Sequence, residues 1–333
     1  MRVFVTHNEE DREAYYGRSL PALEALAEVL LNESGRDLTT AELVAASETC
    51  DVIVAHRSTP GEAELFASSP RLMAFLRCAV DISTVDVGAA SAHGVLVGRA
   101  DHSYVASTAE LALGLMLDAE RNIAASTADY RSGATPPQRT GRQMRGKVAG
   151  IIGYGRIGSY LGDLLLALGM EVLVADPFVA PPAGTPVRFV EMRDLLASAD
   201  VVFPLAPGGS ATTDLIGAAE LALLKPGAAL VNVSRGELLD EDAVGDALRS
   251  GRLAALAMDV GRSGDQRPSP ALAALPGVVA TPHLGGLTPE NADAQAASSV
   301  EQIAAMMHGR MPPRTVNPDS ATRLRNWWST NSE

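Results

Sequence analysis

The chain has 333 residues, 47% of them hydrophobic and 20% charged, which supplies a sizeable core and excludes a chain disordered throughout. Forty acidic residues against 27 basic ones give a formal charge of −13, so a broad nucleic-acid-binding face is not expected; aromatics, at 4%, are too few for base-stacking platforms. Cys50 and Cys78 are the two cysteines, too few for a disulfide framework or a cysteine-rich zinc centre. Both sit in apolar runs, so buried, inert thiols are expected, and no metal site is expected.

The opening MRVFVTHNEE lacks the apolar core of a signal peptide, and no run of about 18 apolar residues appears, so a soluble cytoplasmic protein without a membrane partner is the expectation. Arg2–Thr6, Asp51–His56, Ala74–Val80 and Val95–Gly98, rich in Val, Ile and Phe, read as strands. Between the first two, Leu20, Leu23, Leu26, Ala27 and Leu30 fall on one face of a helix over Leu20–Leu31. Strands separated by helices imply parallel βαβ units. A long helix follows from Tyr104 to about Tyr130, then a polar Gly/Pro/Arg-rich loop over Arg131–Gly146. A second series of strands is expected at Val148–Gly153, Glu171–Asp176, Asp200–Leu205, Ala229–Ser234, Leu253–Val260 and Val278–Thr281, with helices such as Ile157–Leu168 and Asp242–Ser250 between them. The last helix is placed near Pro289–His308, ahead of a tail that is polar apart from Trp327 and Trp328. The pattern predicts an α/β protein of two domains.

The most informative stretch is VAGIIGYGRIGS, from Val148 to Ser159. A lone GxGxxG is weak, because glycine is common. Here it follows an apolar strand, opens a helix with Ile157, Leu161, Leu164 and Leu168 on one face, and is followed by a strand ending at Asp176, eighteen residues after Gly158. Strand, turn, helix, strand and terminal carboxylate together make a dinucleotide-binding fingerprint. Gly153 permits the tight turn, Gly155 lets a pyrophosphate approach, and Gly158 lets the helix pack on the strand, with the helix N–H groups facing the phosphates. Asp176 is expected to accept from the adenosine ribose hydroxyls. Its charge opposes a 2′-phosphate, and no basic residue follows it in Pro177-Phe178-Val179, so NAD is favoured over NADP.

With these stretches in order, namely Gly146 through Gly158, LKPGAALVNVSRG over Leu224–Gly236, DEDA over Asp240–Ala243 and TPHLGG over Thr281–Gly286, the sequence resembles the D-isomer-specific 2-hydroxyacid dehydrogenase family over nearly its whole length. That resemblance implies two Rossmann-like domains: a discontinuous flavodoxin-like substrate domain of residues 1–100 and 288–333, and an NAD-binding doubly wound parallel sheet over 101–287. It also implies an active site in the cleft between them and a homodimer. His283 matches the family's acid/base, and an imidazole exchanges one proton near neutral pH. Arg235 matches the residue that holds the substrate carboxylate and polarises the adjacent carbonyl with its forked donors. Cofactor contacts are implied at Gly153, Gly155, Arg156, Ile157, Gly158, Asp176, Val233 and Asp259, the last at the nicotinamide carboxamide. Val80, Asp81 and Tyr104 are expected beside the substrate.

Three departures stand out. Relatives usually carry a glutamate 29 positions after the arginine, paired with the histidine; here that position is Gly264, and the neighbouring Asp265 is the expected substitute partner of His283, with a plain surface aspartate as the alternative. Asp81 stands at a usual glycine in the CAVDIST loop, where a carboxylate opposes an anion unless it is turned away or paired. The following loop carries Arg99, His102 and Tyr104, and the strand end Phe203–Pro207 lacks the histidine of many relatives. The leading expectation is an NAD-dependent enzyme interconverting a small 2-hydroxy acid and its 2-oxo acid. An NAD-sensing co-repressor-like binding protein and a formate- or phosphite-type oxidation of a small anion are the other readings; retention of Arg235 and His283 favours an enzyme.

Overall fold

The computed structural model describes residues 1–263 and 266–331 and forms two compact units, Met1–Ser103 with Pro289–Glu333, and Tyr104–Thr288. No described helix is long and apolar enough to cross a membrane.

In the first unit, β1 (Arg2–Val5), β2 (Glu28–Leu31), β3 (Val52–Ala55), β4 (Ala74–Arg77) and β5 (Leu96–Arg99) form a parallel sheet in the order β2-β1-β3-β4-β5. The central strands are apolar without alternation because both faces are covered. Tyr16, Leu23, Ile303, Met306 and Leu324 lie on one side, and Leu43, Leu65, Phe66 and Ala90 on the other. Cys50 and Cys78 are free and buried, and burial pushes the Cys78 thiol up to about 12.

Two expectations are corrected here. The helix over Leu20–Leu31 stops after Leu20–Glu24, and Glu28–Leu31 becomes β2, paired in parallel from Arg2–Glu28 to Val5–Leu31. The leucine spacing fits a helix, but the short EVLL run gains a ladder along the open edge of β1, and tertiary pairing overrides local preference. The polar tail contains a helix, Thr322–Asn331, that buries Leu324 and lets Trp328 Nε1 donate to the Met306 carbonyl at 2.7 Å.

The second unit is a seven-stranded parallel sheet of β6 (Val148–Ile152), β7 (Glu171–Ala175), β8 (Arg188–Phe189), β9 (Val201–Pro204), β10 (Ala228–Asn232), β11 (Leu253–Met258) and β12 (Val278–Ala280). Its order is β12-β11-β10-β9-β6-β7-β8, so the chain winds outward from β6 in one direction and from β9 in the other, a doubly wound sheet. Ala112, Leu115, Leu161 and Leu165 pack on one face, and Leu195, Leu196, Leu221 and Val244 on the other. The expected single helix from Tyr104 is two helices, Val105–Arg121 and Ile123–Arg131, because Asn122 takes a left-handed conformation at φ 55° and ends the first. No helix or strand occurs between Ser132 and Lys147; Arg142 anchors this loop on the buried Glu120, Nε to Oε2 at 2.6 Å.

Candidate active site

The glycine turn joins β6 to the helix Arg156–Ala167. Gly153 sits at φ 100°, and a Cβ there would meet the Ala206 nitrogen at 2.8 Å; a Cβ on Gly158 would lie 2.3 Å from the Gly153 carbonyl oxygen. Both are therefore glycine for reasons inside the chain. At Gly155 a Cβ meets no heavy atom within 4 Å, and the backbone has an ordinary negative φ. The room at Gly155 is thus room for something outside the chain, at the first turn of a helix whose N–H groups favour anions.

Asp176, just after β7, is half-buried and accepts three main-chain amides: Tyr154 at 2.7 Å on Oδ2, and Phe178 at 2.8 Å and Val179 at 3.2 Å on Oδ1. The amides fix the carboxylate across the turn and leave it a lone pair to offer a hydroxyl. The open face at Gly155 and the fixed carboxylate fit a dinucleotide. Arg156 is exposed at the start of the helix, and Ile157 is half-buried beside it.

At the other strand ends, β10 runs into the turn that carries Arg235. Asn232, fully buried, donates from Nδ2 to the Arg235 carbonyl at 2.9 Å and accepts the Ser234 amide at 3.1 Å. Ser234 Oγ donates to the Ala206 carbonyl at 2.9 Å, which ties this turn to the loop after β9. Arg235 is half-buried, with one guanidinium nitrogen on the Ser234 carbonyl at 2.8 Å. Val233, two residues before it, is buried.

His283 follows β12 in a loop organised by Asp259, which follows β11. The Asp259 amide donates to the Asn232 carbonyl at 2.9 Å, and the His283 amide donates to the Asp259 carbonyl at 2.9 Å. The Asp259 carboxylate accepts Thr281 Oγ1 at 2.6 Å, the Leu284 amide at 2.7 Å and the Gly285 amide at 2.8 Å. Thr108, on the helix Val105–Arg121, donates to the Gly285 carbonyl at 3.0 Å. A chain of hydrogen bonds therefore runs from the Arg235 turn, through the side chain and carbonyl of Asn232 and the backbone of Asp259, to His283. Asp259 itself is 0% exposed, and its carboxylate is engaged by the loop that carries His283.

Of the other expected residues, Val80 and Asp81 lie after β4 in the first unit, and Tyr104 begins the second. Asp81 is exposed and accepts the Ser83 amide at 2.8 Å on Oδ1. Beneath its loop Arg77 is 1% exposed; it donates to the Arg57 carbonyl at 2.7 Å and to Thr84 Oγ1 at 2.8 Å. Burial pushes Arg77 down to about 10, while the charges of Cys78 and Asp81 act in the opposite direction. Asp265 and Gly264 lie outside the described residues. The sequence reading missed Asn232, Thr281 and Thr108. For Asn232 the signal was present, as a polar residue closing an otherwise apolar strand.

Residues 113–285 match the family described as D-isomer specific 2-hydroxyacid dehydrogenase, NAD binding domain. The chain is 38% identical over 281 residues to D-3-phosphoglycerate dehydrogenase of Mycobacterium leprae, covering 84% of this chain and 53% of that protein. It thus spans about half the length of that relative. It is 30% identical over 273 residues to hydroxypyruvate reductase of Thermotoga maritima, covering 79% of this chain and 88% of the relative. Among solved structures, the TT0316 protein of Thermus thermophilus superposes with a TM-score of 0.83 at 31% identity, over 95% of this chain and all of that one.

Proposed function

Because the chain belongs to the D-isomer-specific 2-hydroxyacid dehydrogenase family, whose NAD binding domain matches residues 113–285, we propose that it is an NAD-dependent oxidoreductase interconverting a small 2-hydroxy acid and its 2-oxo acid. The observation that supports the reading is the bracing of the Arg235 and His283 turns through Asn232 and Asp259, at the ends of β10 and β12 on either side of β11. NADH, when bound, supplies the reducing equivalent. Arg235, permanently charged, holds the substrate carboxylate and draws electron density from the 2-oxo group. His283 gives a proton to the carbonyl oxygen in reduction and takes it back in oxidation. Gly153, Gly155, Arg156, Ile157, Gly158 and Asp176 hold the dinucleotide, with Val233 buried two residues before Arg235. Val80, Asp81 and Tyr104 are assigned to the substrate side.

The names of the relatives supply the first panel: hydroxypyruvate and the oxidation product of D-3-phosphoglycerate, beside glyoxylate and pyruvate. NADH consumption with each acid tests the proposal. NADH binding with turnover of none of them would favour the binding-protein reading.

We further propose a homodimer. The helix Ile123–Arg131 buries none of its residues, and Ile123 and Tyr130 stand 54% and 67% exposed. Sedimentation equilibrium of wild type and Ile123→Asp tests it; a monomeric wild type overturns it.

A further inference from the structure

Three strand ends of the first unit converge on one corner. β1 has β2 on one side and β3 on the other, so the chain order reverses there, and open α/β sheets take ligands outside the carboxyl ends of such strands. Asp11 comes from the segment after β1, Asp37 from the segment after β2, and His56 follows β3. One ligand atom from each lies within 4.8 Å of the others, and Asp11 Oδ2 is 3.7 Å from His56 Nδ1.

The corner is electrostatically incomplete. Among the described residues, neither carboxylate accepts a hydrogen bond, and neither has a lysine or arginine nitrogen within 4.0 Å. The Asp11 side chain is nonetheless only 19% exposed. Arg12, the adjacent cation, is turned elsewhere, donating to the carbonyls of His7 at 2.9 Å and Asn32 at 2.6 Å. Two carboxylates beside one imidazole, neither accepting a hydrogen bond from the described chain, are a donor set that a cation completes.

A second observation points to the same corner. His7, just after β1, is 2% exposed, and its Nδ1 has no hydrogen-bond partner. Its ring packs against that of His56, centroids 5.0 Å apart and planes at 69°. Buried polar atoms are rarely left unpaired, so the corner beside His56 lacks a polar partner that the described chain does not supply. The backbone agrees: Asp11 precedes a π-helical turn, Arg12–Tyr16, that sets Tyr16 against His7 at 4.9 Å, and π-turns recur at functional sites.

We propose that Asp11, Asp37 and His56 bind one divalent transition-metal ion of the Zn²⁺ class, with His7 behind them in the same corner. Two carboxylates and an imidazole are an N/O donor set suited to zinc and its neighbours; the imidazole favours these over Mg²⁺ or Ca²⁺. His56 Nδ1 also meets Ser58 Oγ at 2.8 Å and the Ser58 amide at 3.4 Å, so an ion on that nitrogen displaces the serine hydroxyl. The ion ties together the segments after three strands, and the proposal does not depend on the dehydrogenase reading.

The test is equilibrium dialysis of the full chain, stripped with a chelator, against Zn²⁺, with Co²⁺ absorption as a second readout. Wild type is expected to bind one equivalent more tightly than Asp37→Asn by at least roughly tenfold, and to lose its visible Co²⁺ band in that variant. Asp37 is exposed and makes no side-chain hydrogen bond, so the substitution leaves folding intact; Asp11→Asn is the companion. Equal stoichiometry and affinity in wild type and Asp37→Asn, or no binding by wild type, overturns the proposal.

Discussion

The Asp259 carbonyl accepts the amide of His283 at 2.9 Å, and the carboxylate of the same residue accepts the next two amides, those of Leu284 and Gly285. Three successive amides thus close on one buried residue. His283 itself stands at φ 62°, in the left-handed region, a conformation that costs on the order of 1–3 kcal/mol and persists only where the surroundings impose it. Asp259→Ala is therefore expected to release the loop. Misplacing a proton donor by about 1 Å is worth about 100-fold, so kcat is expected to fall by about that factor while NADH binding, read by fluorescence, changes little. Asp259→Asn keeps one acceptor and should fall between the two. Full turnover in both variants would show that the loop holds itself.

His283→Ala and Arg235→Ala are expected to fail for different reasons. Loss of proton transfer lowers kcat by about 10²–10⁴-fold and leaves inhibition by oxamate-like anions nearly unchanged. Loss of Arg235 removes a charge-assisted contact to the carboxylate, so anion inhibition weakens as well. Steady-state kinetics with oxamate separates them; a loss below tenfold at His283 counts against its role.

Asp176 is expected to set the cofactor preference. Its carboxylate is fixed by three amides at the edge of the glycine turn and repels a 2′-phosphate. Wild type should prefer NADH over NADPH by roughly tenfold or more, which corresponds to about 1.4 kcal/mol. Asp176→Ser, which removes the charge and keeps a polar side chain, should narrow that ratio. Equal efficiency with both cofactors in wild type would defeat the assignment.

What the sequence made legible was what local patterning dictates. The glycine turn, the strand leading to Asp176 and the loops bearing Arg235 and His283 all lie at ends of short apolar runs; β6, β7 and β10 are buried, and the three-residue β12 before His283 is the half-exposed edge strand. β2 was not legible, because Glu28–Leu31 has the same leucine spacing as the helix before it, and only the open edge of β1 decides between them. The break at Asn122 was equally hidden, because helical residues resume immediately after it at Ile123. The helix Thr40–Ser47 could have been found: Thr39 and Glu42 form the reciprocal capping box that T-x-x-E announces. The role of Asp259 is a long-range one, and no spacing rule shows a carboxylate reaching amides 25 and 26 residues away.

Cys78 links burial to pH. Its thiol is pushed up to about 12 in the folded chain, against about 8.5 in an unfolded one. The unfolded state therefore loses its proton first, so stability held below about pH 8.5 declines as pH rises toward 12, by at most about 1.4 kcal/mol per unit. Urea midpoints at pH 7 and pH 10 are expected to differ more in wild type than in Cys78→Ala. Identical pH dependence in the two would mean that the thiol is not desolvated. For the same reason iodoacetamide should label neither cysteine at pH 8 until urea unfolds the chain.

Asp81 tests how an unusual carboxylate is accommodated in a loop assigned to an anionic substrate. Its Oδ1 accepts the Ser83 amide at 2.8 Å, an Asx turn that bends the loop on itself. Its charge also acts on the buried Arg77, whose guanidinium joins the Arg57 carbonyl to Thr84. The carboxylate thus serves as a turn acceptor and as a partial counter-charge to a cation that has no carboxylate hydrogen-bonded to it among the described residues. Asp81→Asn separates the two roles, because the amide oxygen still accepts from Ser83 while the charge is gone. Removing the negative charge leaves the field of Arg77 to any anion that reaches the loop, so KM for simple 2-oxo acids should fall several-fold, with kcat little changed. Asp81→Gly removes the turn as well, and its benefit should be smaller than that of Asp81→Asn. An unchanged KM in Asp81→Asn, together with unchanged inhibition by oxamate, would confine Asp81 to shaping its own turn.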